Sequence, residues 1–224
     1  MSLQIGRSAT LRRPADVELR ELRAHFAARH WVRLPGVLEP TLLADLQSRV
    51  ARADFVERVH TGVQPPSVDL SMVPNAASAL LELAFNDAGV RRVVEAIAAC
   101  DPIARFGGFI YRLSPQSGHQ HHWHNDVVED RLVAMSVNLG PGTYDGGLLE
   151  FRDRASEIVL DRVPNTGPGD ALLFRIDPAL QHRATAVTAG VKTAFAGWYF
   201  GDQSYPARLR ELAGRAAPAG GAHT

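Results

Sequence analysis

Apolar side chains along this chain follow two rhythms. Up to about residue 102 they recur every three or four positions: Leu19, Leu22 and Phe26 after Pro14-Ala15-Asp16, then Leu42, Leu43, Leu46 and Val50 after Glu39-Pro40, then within Ala76 to Phe85 and Val90 to Ile97. That spacing predicts amphipathic helices. Between the first two, Trp31-Val32-Arg33-Leu34 followed by Pro35-Gly36 predicts a short strand ending in a turn. From Asp54 to Pro74 the periodicity fades, and Pro65-Pro66 and Pro74 mark a loop, either a lid or a plain surface excursion.

From about Ile103 the rhythm shortens to β-like runs broken by Gly, Pro and Asp: Ala104–Leu113, His121–Val127, Leu132–Leu139, Leu148–Phe151, Ile158–Val163, Ala171–Ile176, His182–Val187 and Thr193–Phe200. The gaps leave no room for helical crossovers, which excludes a parallel α/β sheet and predicts an antiparallel jelly roll. The fold class expected is α+β, mainly β: a barrel of the jelly-roll or cupin kind with N-terminal helices packed on it. A single domain of 224 residues is expected. It divides into a mostly helical part (1–102), a jelly-roll core (103–200), and a short helix at Pro206 to Ala213 with a flexible Ala/Gly/Pro tail from Ala216 (201–224).

Composition narrows the partners. Twenty-four basic side chains balance twenty-four acidic ones, which gives no support to nucleic acid or an anionic membrane as a partner. Cys100 is the only cysteine, so intramolecular disulfides and thiolate zinc clusters are excluded. Met1 to Pro14 is polar and basic, without the apolar run of a secretory signal or membrane anchor, and a reducing, cytoplasmic setting is expected.

The chemistry gathers in the β-rich half. His124-Asn125-Asp126 lies in a β-like run, where alternate residues share a face, so His124 and Asp126 can aim at one metal ion. A third ligand would complete two imidazoles and one carboxylate, a facial set that leaves open positions on ferrous iron. His-x-Asp by itself arises by chance about every second chain of this composition, so its context decides. Downstream, Gly169-Asp170-Ala171-Leu172-Leu173-Phe174 forms a turn and an apolar strand, His182 begins another, and Lys192 follows the tight Ala189-Gly190 turn. Pairing the last two as a hairpin would set a histidine and a cation in one barrel mouth. A buried ammonium needs an anionic partner, and a dicarboxylate cosubstrate would supply it.

Over roughly Ala104 to Phe200 the chain resembles the 2-oxoglutarate and iron(II)-dependent oxygenase superfamily, in particular its prolyl-4-hydroxylase-like branch. The resemblance rests on His124-x-Asp126, Gly146-Gly147-Leu148-Leu149, Gly169-Asp170-Ala171-Leu172-Leu173-Phe174, His182 and Lys192, in that order. It implies a double-stranded β-helix that uses Fe(II), 2-oxoglutarate and dioxygen (O2) to hydroxylate a C–H bond, with succinate and carbon dioxide as co-products. By the same resemblance His124, Asp126 and His182 hold iron, Lys192 anchors the distal carboxylate of 2-oxoglutarate, and Asn138 offers a second polar contact. Trp198 would lie inside the barrel near the metal. The family's tyrosine before the first metal strand is replaced by Leu113-Ser114-Pro115, with Tyr111 slightly earlier, which leaves the C1-carboxylate side of the cosubstrate open. In halogenating relatives a small residue replaces the carboxylate, so Asp126 argues against halogenation.

Plainer readings stand beside these. His119, His121 and His122 read as half-exposed strand and loop residues, Trp123 as packing, Arg175 and Arg183 as surface charges, Asp170 as a cap and Gly146-Gly147 as a turn. The substrate expected is a residue in a peptide or a free small molecule. The competing reading is a cupin-type metal protein without 2-oxoglutarate, an isomerase or a binding module, which has no need of Lys192.

Overall fold

The computed structural model describes residues 3–7, 9–62, 65–115, 119–128 and 130–201. The elements run β1 (Gln4–Ile5), β2 (Thr10–Arg12), α1 (Asp16–Arg29), β3 (Trp31–Leu34), α2 (Pro40–Ala51), β4 (Phe55–His60), β5 (Ser67–Met72), α3 (Ala76–Phe85) and α4 (Ala88–Ala98). The β-rich half continues with β6 (Ile103–Leu113), β7 (His121–His124), β8 (Arg131–Asn138), β9 (Asp145–Gly146), β10 (Leu149–Asp153), β11 (Val159–Val163), β12 (Ala171–Arg175), β13 (Leu180–Ala184), β14 (Val187–Ala189) and β15 (Lys192–Gly201). The helix expected at Pro206 to Ala213 and the tail from Ala216 lie outside the described residues. Among the described residues, no helix is long and apolar enough to cross a membrane.

Two antiparallel sheets face each other. The major sheet has the order β3-β12-β8-β15-β6-β5-β4 and the minor sheet β11-β10-β13-β7. Every pairing in them is antiparallel, the layout of a jelly roll. Alternation along the strands of the major sheet divides its faces. Phe195 and Tyr199 of β15, Val133, Met135 and Val137 of β8 and Phe106 and Ile110 of β6 join the helices in one core, where the Phe85, Phe106 and Phe195 rings meet. Ala134, Leu172 and Phe174 belong instead to a cluster with Phe151 and Leu180 of the minor sheet. The helices therefore hold the outer face of the sheet, and the inner face is left for chemistry.

Glycines set how closely β15 and β6 approach. Gly197 pairs with Gly108, and a Cβ on Gly197 would collide with the Gly107 carbonyl oxygen and come within 2.6 Å of Gly108 Cα. Backbone on both sides cannot give way, so Gly197→Ala is expected to cost about 3 kcal/mol of unfolding free energy. A urea midpoint equal to that of the unsubstituted protein would refute this.

Two expectations need correction. The segment Asp54 to Pro74 is a hairpin, β4–β5, that extends the major sheet through β5 and β6. Its periodicity is hard to see because its polar residues face a polar cavity, and there the hydrophobic-in, polar-out rule fails. The His182 and Lys192 strands do not form a hairpin. β14 intervenes, pairs with β9, and carries the chain from the minor sheet, which holds His182, to the major sheet, which holds Lys192.

Candidate metal and cosubstrate site

The register of β7 on β13 sets His124 opposite His182, with ring centroids 4.3 Å apart. β7 ends at His124, and the extended chain beyond it delivers Asp126 to the same place. His124 Nε2 lies 3.8 Å from Asp126 Oδ1 and His182 Nε2 lies 3.5 Å from Asp126 Oδ2. The ligand atoms of all three lie within 4.8 Å of one another. His124 Nδ1 is 2.7 Å from the His122 carbonyl, which can only accept, so the proton sits on Nδ1 and the Nε2 lone pair faces the cluster. Burial pushes the His182 imidazole down to about 3, so its ring is neutral at physiological pH and can ligate.

Asp126 is held from the major sheet. Trp198 Nε1 donates to its Oδ2 at 2.7 Å, and Arg131 Nη1 stands 3.6 Å from its Oδ1 while its guanidinium stacks on the Trp198 ring at 3.7 Å. Burial works against the charged carboxylate, but His182, His124, the indole and the guanidinium together hold its carboxyl below the ordinary range. Trp198 thus points inward, as alternation with Lys192 requires, and orients a candidate ligand. Arg131 escaped sequence reasoning, since a basic residue at the start of a strand carries no signal of its own.

These groups line a cavity of about 590 Å³ between the sheets, and Lys192 enters it from β15. Its Nζ donates to the Gly147 carbonyl at 2.6 Å, and among the described residues no carboxylate lies within ion-pair distance. Burial pushes the ammonium down to about 8. Gly147 holds a positive φ of 61°, and a Cβ there would press on Lys192 Cδ at 3.1 Å, so Gly146-Gly147 shapes the cation's seat as well as a turn. Tyr111 is buried on the same wall with Ser136 as hydrogen-bonding partner, and burial raises its phenol above the usual range. Asn138 differs from expectation. Its Nδ2 donates to the Thr166 carbonyl at 2.6 Å and its Oδ1 accepts from the Gly140 N–H at 2.9 Å, so the amide is engaged by backbone at both ends.

The model of the 2OG-Fe(II) oxygenase superfamily matches residues 109–200, the stretch that carries all of these groups. That stretch of the chain is a 2OG-Fe(II) oxygenase superfamily segment. Fe(II) and 2-oxoglutarate are the metal and cosubstrate of 2OG-Fe(II) oxygenases, and two imidazoles, a carboxylate and a buried ammonium with no carboxylate partner among the described residues suit both. The fold agrees. A 2OG-Fe(II) oxygenase family oxidoreductase from Burkholderia pseudomallei superposes with TM-score 0.65 at 15% identity, over 89% of this chain and 96% of its own. A Pseudomonas putida prolyl-4-hydroxylase gives 0.58 at 16% identity, over 82% and 98%. SnoN, an alpha ketoglutarate dependent epimerase from nogalamycin biosynthesis, gives 0.62 at 15% identity, over 84% of each chain. No curated protein sequence matches significantly.

The protein carries a second polar cluster. Asp69, fully buried on β5, accepts from His60 Nε2 at 2.7 Å and His121 Nε2 at 3.1 Å, and Arg58 Nη2 lies 3.4 Å away. Arg58, His60 and His121 line the same cavity as the triad. His121 is a half-buried strand residue that lines the cavity, whereas His119 is buried, against its half-exposed reading. The plainer readings stand elsewhere: Asp170 accepts from Arg33, Gly36 N–H and Gly167 N–H, Arg183 pairs with Glu150, and the Arg152 and Arg183 guanidinium groups flank Trp123.

Proposed function

We propose that this 2OG-Fe(II) oxygenase is a hydroxylase that works as one domain, with iron held by His124, Asp126 and His182 and the C5 carboxylate of 2-oxoglutarate on Lys192. The observation that carries the reading is Lys192, a buried ammonium whose polar partner is a carbonyl. A metal-only cupin has no use for such a charge, whereas a dicarboxylate neutralises it. Tyr111, with Ser136 beside it, would flank the cosubstrate from β6.

Bound at this site, Fe(II) and 2-oxoglutarate supply the activation of dioxygen, with succinate and carbon dioxide as products. The protein's own contribution is positional. The His122 carbonyl fixes the tautomer of His124, Trp198 fixes the rotation of Asp126, and the aromatic walls of Phe174 and Trp198 limit access of water. The substrate is a peptide residue or a small molecule, which the cavity meets with both apolar and polar side chains.

The test is anaerobic reconstitution with Fe(II) and 2-oxoglutarate, then admission of oxygen with a substrate panel. The expected results are a visible metal-to-ligand band on adding 2-oxoglutarate, succinate after oxygen, and a product heavier by one oxygen atom. A band and succinate with a product of unchanged mass and inverted configuration would make the protein an epimerase. Absence of both band and succinate would overturn the proposal.

A further inference from the structure

We infer that the substrate carries a carboxylate-type anionic group, which Arg58 receives at the far end of the cavity from Lys192; this rests on the proposed iron and 2-oxoglutarate sites. Register separates the two cations. Lys192 pairs with Leu113, Arg58 pairs with Asp69, and the step Leu70 to Arg112 places Asp69 beside Leu113, so the four residues form one row across β15, β6, β5 and β4. Three strand spacings set the Arg58 and Lys192 backbones about 14 Å apart. The four C–C bonds of 2-oxoglutarate span about 5 Å from C1 to C5. One cosubstrate cannot answer both cations.

Charge leaves the same vacancy. Arg58, Arg131 and Lys192 stand against Asp69 and Asp126, three positive groups and two negative, and Fe(II) with dianionic 2-oxoglutarate adds nothing net. Counted over these described groups alone, the loaded cavity keeps one positive charge. Arg131 is directed at Asp126 and Lys192 at the cosubstrate, while Arg58 shares its Asp69 partner with two imidazoles and is the cavity cation set apart from both. Its guanidinium is oriented: it lies 3.9 Å over the Phe109 ring, and Asp69 fixes it and the two imidazoles from behind. Phe109 in turn meets Trp198, centroids 6.1 Å apart, and Trp198 touches Asp126. An apolar body lying along these two rings would connect an anion on Arg58 to the metal triad. The neighbouring His60, Asp69 and His121 also form a possible metal set. Their contacts of 2.7 and 3.1 Å to one oxygen are hydrogen-bond lengths, and a second cation beside Arg58 would triple the excess charge.

The test titrates the anaerobic protein loaded with Fe(II) and 2-oxoglutarate with hexanoate and 4-phenylbutanoate and with their primary amides, by calorimetry. At least one acid is expected to bind tenfold or more tightly than its amide, without loss of the 2-oxoglutarate band. Arg58→Gln should erase that preference and Arg58→Lys should keep part of it. Equal affinity of acid and amide, no binding of either acid at millimolar concentration, or an acid preference that survives in Arg58→Gln would overturn the inference. So would a second equivalent of divalent metal that is lost in His60→Ala. Failure of the underlying iron and 2-oxoglutarate reading appears separately, as absence of the band before any probe is added.

Discussion

Replacing Lys192 by methionine is expected to weaken 2-oxoglutarate binding by about 100-fold or more while making the ligand-free protein more stable. The first effect follows from removing the cation opposite a buried carboxylate, a loss of about 2–5 kcal/mol. The second follows from the depressed ammonium. Its pKa falls from 10.5 to about 8 through burial, a shift that costs the folded state about 3 kcal/mol. Because the folded value lies below the unfolded one, that cost is fully present below pH 8 and disappears as pH rises toward 10.5. Methionine removes the cost but leaves the Gly147 carbonyl without its donor, a penalty of about 1–3 kcal/mol. The net gain near pH 7 is about 1 kcal/mol, and by pH 10 it should have reversed to a loss of about 1 kcal/mol, because the penalty at the carbonyl remains. Denaturant unfolding at both pH values and calorimetry with 2-oxoglutarate on the iron-loaded variant check the two halves. An unchanged cosubstrate affinity would remove Lys192 from its proposed role. In the unsubstituted protein, affinity for 2-oxoglutarate should fall as pH passes above 8, because the dianion needs the protonated form.

Much of this site was legible because strand periodicity converts sequence into direction. In β15, alternation sends Lys192, Ala196 and Trp198 to the cavity and Phe195 and Tyr199 to the helices, and no tertiary information is needed to see it. The helices were equally plain: the span Ala76 to Phe85 is α3 to the residue, closed by the Asn75 cap. Legibility failed where partners matter more than periods. Nothing in the run from His182 to Lys192 shows that three residues of β14 divert the chain to the opposite sheet. Asn138 had the right chemistry in the right strand, but its bonds to Thr166 and Gly140 depend on loops that a linear pattern does not place. Arg58, His60 and Asp69 looked like loop polarity because a polar cavity and bulk solvent impose the same preference on a strand face. Only closure of the jelly roll over them separates the two cases.

Asp126→Asn is expected to have the opposite signature to Lys192→Met: the loss of iron first, and of 2-oxoglutarate as a consequence. The carboxylate is the one anionic group among the three candidate ligands, and its oxygens face donors on every side. Trp198 Nε1 and Arg131 can only donate, and the amide nitrogen of asparagine would turn a donor toward one of them or toward the metal. Iron affinity should fall by at least about 100-fold, the scale on which loss of a charged group from such a cluster acts. Stability gives an independent readout. A ligand that binds only the folded state raises the unfolding midpoint in proportion to the logarithm of its concentration over its dissociation constant. Fe(II) or Co(II) added anaerobically should therefore raise the melting temperature of the unsubstituted protein and of Lys192→Met, and leave that of Asp126→Asn unmoved. The variant's own ligand-free stability should drop by about 1–3 kcal/mol, because Arg131 keeps its charge beside a neutral amide. Equal stabilisation of all three proteins by the metal would place iron elsewhere in the chain. Among the described residues the other donor set is His60, Asp69 and His121, and a metal-induced shift that survives Asp126→Asn but is lost in His121→Ala would identify it.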